Sequence, residues 1–230
     1  MGEYENLPKL PRGWGWATVK QLASTQPRSI QSGPFGSNLK HSEFQDVGIL
    51  AIGIDNVLNG QFFKGKQNRI SHEKYVTLEK YTARPLDVLI TVMATVGRCC
   101  VVPEDIETAI ITKHVYRITV NQEIIYPYYL MFALLGGQTV KDQIKGQTRG
   151  QTRPGINGTI LKNISIPIPP LTEQHRIVNK IEELFTQLDA GVDLLKKLKL
   201  KLKRYRQAVL KAAVEGKLTQ DWRAAHQDEL

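Results

Sequence analysis

The sequence predicts an α+β protein: one mixed α/β domain over residues 1–168, then a long C-terminal α-helix and tail over 169–230. Three observations lead there. Apolar residues from Ile177 to Ala212 recur at alternating spacings of 4 and 3. Upstream, short Val/Ile/Thr-rich runs and one Leu-rich run follow in irregular order, unlike a regular βαβ series. Between the two regions, Pro167, Pro169 and Pro170 make a stiff joint.

In chain order, WATVKQLAS (16–24) reads as a strand or a short helix. VGILAIGIDNV (47–57), DVLITVMATVGRCCVVP (87–103) and AIITKHVYRITV (109–120) read as strands, being β-branched and bounded by Gly, Asp or Pro. YPYYLMFALLGG (126–137) reads as a helix that starts at Pro127 and stops at the Gly136-Gly137 pair. TILKNISIPI (159–168) predicts a helical turn followed by an edge strand, where alternate prolines are tolerated.

After Pro170 the stripe is Ile177, Ile181, Leu184, Leu188, Gly191, Leu195, Leu198, Leu202, Tyr205, Val209 and Ala212, with Val192 beside the weak Gly191 position. A 3.5-residue period keeps one apolar seam turned toward a partner helix. Thr172 is the expected N-cap, Glu173 suits the first turn, and Gly216 the expected C-cap. A rod with only such a seam is unstable alone, because packing supplies most helix stability. The chain offers no second heptad segment, so a partner chain is expected, with docking onto the chain's own domain as the alternative.

Composition narrows the function. Apolar residues are 41% and charged residues 23%, as in chains that bury a core, and no apolar run approaches the roughly 20 residues that cross a bilayer. The start lacks the features of a signal peptide, and Asn6 breaks the myristoylation pattern. The adjacent Cys99 and Cys100 read as reduced thiols in a buried strand, which suits a cytoplasmic location, and no ligand spacing for a metal is present. Net charge is +9; residues 1–170 hold 19 basic and 13 acidic side chains and residues 171–230 hold 12 and 9. Such a spread excess favours a polyanionic partner, nucleic acid first. No nucleotide loop of the G-x-x-x-x-G-K-[ST] type and no Asn-Pro-Pro-Tyr or Asp-Pro-Pro-Tyr segment occurs, and Arg-Pro-Leu-Asp (84–87) reads as a turn before a strand. A reader rather than an enzyme is expected, with no bound cofactor and no metal.

Several segments resemble the DNA specificity subunit of type I restriction–modification systems. LPRGWGWATVKQLAS is similar to the family's opening Leu-Pro-x-Gly-Trp segment, and SGPFGSNLKHSEF (32–44) to the Pro-Phe-Gly-Ser loop of its target-recognition domains. RPLDVLITVMATVGRC resembles its Arg-Pro-Gly-Asp strand, with Leu86 in place of the usual glycine. IPIPPLTEQHRIVNKIEEL and YRQAVLKAAVEGKLTQDWR resemble the two ends of its conserved helix. The resemblance implies a target-recognition domain and a helix that pairs antiparallel with another. Because members usually carry two of each, it implies a homodimer of half-length chains on double-stranded DNA. It also implies docking of an adenine methyltransferase subunit, with a restriction subunit as a further partner. S-adenosylmethionine and ATP are then expected on those partner subunits. The rival readings are a coiled-coil scaffold and a stand-alone dimeric DNA-binding protein.

Two loops are the candidate DNA-binding segments. In the first, Ser32, Gly33, Phe35, Gly36, Ser37, Asn38 and Lys40 combine backbone that can approach a phosphate with hydrogen-bonding side chains and a charge. In the second, 141–158, Lys141, Lys145, Arg149 and Arg153 can neutralise phosphates, while Gln147, Thr148, Gln151 and Thr152 can face bases. Lys113 is a further candidate within its strand-like run. Ile177, Ile181, Leu184, Leu188, Leu195, Leu198, Leu202, Tyr205 and Val209 are the candidate dimerisation seam, and the lysine-rich run 196–206 reads as a solvated face, with contact to phosphates or to a partner subunit as the alternative.

Overall fold

A computed structural model describes residues 7–65, 67–148 and 155–229. The chain divides into two compact units, Met1–Val178 and Asn179–Leu230. The first unit has the expected α+β character. Strand β1 (Gly15–Thr18) runs straight into helix α1 (Val19–Leu22), so the segment read as strand or helix is both. Thr18 and Gln21 form a capping box that sets this switch. Then come β2 (Ile30–Ser32), β3 (Ile49–Ile52), β4 (Asn68–Ile70), helix α2 (His72–Leu78) and β5 (Thr82–Ala83). The long run 87–103 is a hairpin, β6 (Val88–Thr91) and β7 (Cys99–Val101), and the run 109–120 is split into β8 (Ala109–Ile111) and β9 (Val115–Ile118). Helices α3 (Pro127–Gly136), α4 (Gln138–Thr148) and α5 (Gly158–Asn163) precede β10 (Ser165–Ile168).

The strands form three sheets among the described residues: β1-β10, β2-β9-β6-β7 and β4-β3-β8-β5. Pro167 sits opposite Trp16 in the two-stranded sheet, where a strand without a second neighbour needs no donor at that position. The sheet β2-β9-β6-β7 is antiparallel throughout and is covered on both faces. Val88, Ile90, Cys99, Val101 and Ile118 enter one core with α1, α3 and α5, whereas Leu89, Cys100 and Val115 enter a second core with β3, β4 and β8. That double cover explains why all four residues of β6 are buried. It also parts the neighbouring cysteines, whose side chains alternate across the strand. Burial pushes Cys99 well above the usual thiol range and Cys100 up to about 12.

Helix α6 (Leu171–Val214) begins one residue before the expected cap: Thr172 is already in its first turn, and the Pro170 carbonyl accepts from the Glu173 and Gln174 N–H groups. The first two turns belong to the first unit. Gln174 is fully buried, accepts from the Tyr126 N–H (2.8 Å) and donates to the carbonyls of Ile124 and Pro169 (3.0 Å each). Val178 is buried in the first core and Ile177 packs against it, so Ile177 serves the domain. The proline joint therefore does more than stop the helix from growing backward, because Gln174 ties its first turns to the backbone on either side.

In the second unit the rest of α6 is followed by Gly216, whose φ of +70° makes it a left-handed C-cap as expected, and by helix α7 (Gln220–Ala225). Arg223 donates to the Gly216 carbonyl (2.7 Å) and to Thr219 Oγ1 (2.7 Å), folding the tail back on the helix end. Leu188, Leu195, Leu198, Leu202 and Tyr205 lie 44–70% exposed. Leu194, Leu200, Leu210 and Val214 are exposed as well and fall outside the stripe.

Candidate nucleic-acid interface

Register places several loops at one end of the sheets. Ser32 pairs with Tyr116, Thr91 with Val115, and Ile90 with Cys99. The exits of β2 and β6 and the entries of β7 and β9 thus share an end. In the neighbouring sheet β3 and β8 run parallel and both finish there, with Ile52 opposite Ile111. Segments 33–40, 92–98 and 112–114 all leave from this end. Three backbone bonds lace them together: Gly33 N–H to Val115 O (3.2 Å), Val92 N–H to His114 O (3.0 Å) and Ile156 N–H to Val92 O (3.1 Å). The last one brings residues 155–158, the return of the second candidate loop, to the same surface.

Gly33 is needed for close approach rather than for its φ. A β-carbon there would lie 2.2 Å from both the carbonyl carbon and oxygen of Thr112. Gly33→Ala should therefore cost about 1–3 kcal/mol or more by overpacking and displace the 112–114 turn. Gly36→Ala meets open space but holds φ at +60°, and should cost about 1 kcal/mol. Denaturant midpoints of the two variants check this, and a Gly33→Ala no worse than Gly36→Ala would contradict the packing argument.

The first candidate loop divides. Gly33 and Pro34 are buried at the strand end, whereas Phe35 is 53% exposed. The chain then turns through a single 3-10 turn, Gly36–Asn38, and Ser37 and Asn38 line a shallow pocket with Lys74, Thr77, Lys80 and Tyr81. Lys40 is exposed and its backbone N–H donates to Glu43 Oε2 (2.6 Å). Lys74 pairs with Glu43 at 2.7 Å, and hydrogen bonds from the Lys40 backbone and Lys74 hold that carboxyl below its ordinary range.

Lys113, expected within a strand, is instead exposed in the turn between β8 and β9. Beside it, burial and then the Lys113 charge hold the His114 imidazole below its ordinary value. The second candidate loop is helical through Thr148, a correction to the reading of 141–158 as loop. Val140 is buried and Ile144, four residues on, packs against the same core. Lys141, three residues before Ile144, is exposed at the edge of that face and lines a pocket with Ile144, Val96, Gly97 and Leu135. Gln143 is structural, since its amide donates to Ser165 O (3.0 Å) and accepts from Ser165 N–H (2.8 Å). Asn157 caps α5 by accepting from Ile160 N–H (2.8 Å). The side chains of Lys145, Gln147 and Thr148, and all of Arg149, Gln151, Thr152 and Arg153, lie outside the described residues.

The hairpin tip 92–98 is the segment the sequence reading missed. Thr91 Oγ1 accepts from Arg98 N–H (3.1 Å) and donates to the Thr95 carbonyl, and Gly97 N–H donates to Thr91 O (2.9 Å). The tip is tight enough to hold Ala94 at φ +62° and Gly97 at +88°. Met93 and Ala94 are exposed at its apex. A signal was available, since 17 residues exceed the usual length of one strand. Among the described residues no cluster of His, Cys, Asp or Glu could hold a metal, and no helix is long and apolar enough to cross a membrane.

The family described as type I restriction modification DNA specificity domain matches residues 37–204. The specificity subunit of the type I restriction enzyme EcoBI of Escherichia coli is 27% identical over 219 residues, covering 95% of this chain and 45% of that protein. The StySPI specificity subunit of Salmonella potsdam is 28% identical over 225 residues, covering 96% and 47%. The chain spans about half the length of the curated relatives it matches. Among solved structures, the HsdS subunit from Thermoanaerobacter tengcongensis superposes with a TM-score of 0.63 at 22% identity, over 91% of this chain and 46% of that one. A chain from a type I R-M system complex gives 0.65 at 23%, over 91% and 47%. At such identities the superpositions speak for the fold.

Proposed function

The chain belongs to the type I restriction–modification DNA specificity family, and from that premise we propose that it reads one half of a two-part DNA target and pairs through α6 with a second copy that reads the other. The observation that carries this reading is the convergence of 33–40, 92–98, 112–114 and 155–158 at one end of the sheets, which gathers Gly33, Lys113 and the return of the second loop. Loops on a rigid scaffold can present side chains to base edges while neighbouring cations hold phosphates.

The exposed heptad seam favours pairing of α6 with a second such helix, which in this reading a second copy supplies. Two identical readers related by a two-fold axis require an inverted-repeat target, and the length of the paired rods sets the gap between half-sites. At 1.5 Å per residue the 44-residue helix is about 66 Å long. In this reading the chain performs no chemistry. An adenine methyltransferase subunit docks on the helices, brings S-adenosylmethionine and flips the target base, and a restriction subunit would bring ATP. The setting is the cytoplasm, where the DNA is.

Mapping methylated adenines in host DNA with and without this chain tests the proposal. The expected result is a set of inverted, two-part sites whose methylation disappears when the chain is removed. An unchanged methylation map would overturn the reading. Duplex affinity that does not fall with added salt would then favour the scaffold, since each contacted phosphate contributes about 0.9 to the log–log slope.

A further inference from the structure

We infer that Arg28, Lys80 and Arg84 form a phosphate-binding site for the nucleic-acid backbone, at the opposite end of the β2-β9-β6-β7 sheet from the converging loops. The site rests on the DNA-reading assignment above and adds residues to it. Arg28 lies just before β2 and Arg84 just before β6, and Ile30 and Val88 both pair with Ile118 at that end. The three cations line one open pocket of about 440 Å³ with Val76, Thr77 and Glu79. Glu79 is its only carboxylate, and among the described residues none of the three cations makes an ion pair. Asp87 lies nearby but is buried, and Arg117 already faces it at 3.7 Å. The pocket is therefore left with excess positive charge that an anion would satisfy.

Its geometry is held in advance. Arg28 has φ +62°, a conformation in which a side chain is strained and glycine is not. The strain is imposed from below, since Arg28 O accepts from Arg117 Nη2 (2.9 Å). Arg84 is anchored by donating to Gln26 Oε1 (2.9 Å), on the same turn as Arg28. A backbone position suited to glycine thus carries a long cation aimed at open solvent beside two others.

A path connects the pocket to the loops. Thr77 and Lys80 also line the neighbouring pocket with Ser37 and Asn38 of the first candidate loop. Strands of three or four residues span only about 13 Å, so one duplex can touch the converging loops and reach this flank. Guanidinium and ammonium groups without a base-shaped cleft position a duplex and do not select its sequence.

The test uses the full chain, a random-sequence duplex pool and a salt series. Arg28→Gly removes the charge and relieves the backbone, so its melting temperature should hold or rise while affinity falls and the log–log salt slope drops by about 0.9. Lys80→Gln and Arg84→Gln should each lower the slope similarly, and the sequences selected from the pool should stay the same. Slopes equal to those of the unchanged chain would overturn the site and leave the DNA-reading assignment standing. A fall in melting temperature that accounts for the lost binding of Arg28→Gly would also overturn it, by making Arg28 structural. If the unchanged chain bound no duplex, both the assignment and the site would fall.

Discussion

Arg117→Ala should destabilise the first unit by about 3–5 kcal/mol, a large share of the roughly 5–15 kcal/mol that holds a domain together. Arg117 is only 4% exposed, in the middle strand β9. Its guanidinium donates to the carbonyl of Thr82 in β5 and to that of Arg28 before β2, tying one sheet to the other. Its Nε stands 3.7 Å from Asp87 Oδ2. Asp87 is 1% exposed and accepts from Thr119 Oγ1 (2.6 Å) and Arg84 N–H (2.7 Å). Burial pushes the Asp87 carboxyl up, against the pull of those donors and of Arg117. Truncation at 117 would strand a buried carboxylate and two carbonyls at once, which costs far more than the pair contributes. A drop in melting temperature on the order of 10 °C is expected by calorimetry. Pairing the change with Asp87→Leu should restore part of the loss, because no charge then remains unmatched. A shift within a degree or two for Arg117→Ala alone would show that the buried pair does not bind the sheets.

Leu198→Asp should split the proposed dimer. Leu198 stands in the middle of the seam and is 44% exposed in the single chain, with Leu195 at 66% and Leu202 at 67%. Each leucine sheltered by a partner helix contributes about 1.5–3 kcal/mol, and an aspartate facing an apolar seam costs several more. The two substituted copies would face that penalty twice. Light scattering should then report a single-chain mass, and circular dichroism should report helix loss, because a rod with an a/d stripe depends on packing. Lys203→Asp, off the seam, should leave both unchanged. A dimer that survives Leu198→Asp would place the interface elsewhere, and the exposed Leu194, Leu200, Leu210 and Val214 would be the next residues to change.

The long helix, the edge strand with its prolines, the helix that stops at the Gly pair and the buried cysteines were all legible, because each rests on a local rule. A strict 3.5-residue period needs no tertiary knowledge. Other features depended on distant partners. β2 and β4 are three residues each and carry Gln31, Asn68 and Arg69, so only pairing with β9 and β3 makes them strands. The 87–103 run reads as one strand because its hairpin tip has no Asn-Gly or Asp-Gly, and hydrogen bonds from Thr91 supply the turn instead. Helix α4 was hidden by Gly146 and by glutamine and threonine, residues that suit loops. Its signature was the spacing of Val140 and Ile144, two positions one turn apart. The candidate surface was legible as residue types and illegible as a place. Nothing local says that Gly33 touches Thr112, or that Ile156 returns to Val92, since both follow from strand register.

The split of Cys99 and Cys100 between two interiors has a practical outcome. Neither sulfur meets solvent, and thiolate formation is suppressed at both, so maleimide-type reagents will leave the folded chain unmodified. A cysteine introduced anywhere on the outside of α6 becomes the only reactive handle per copy. If the proposed pair forms, two spin labels or fluorophores placed that way would report the rod-to-rod distance, and the direction in which one rod runs against the other, without any native residue having to be removed first.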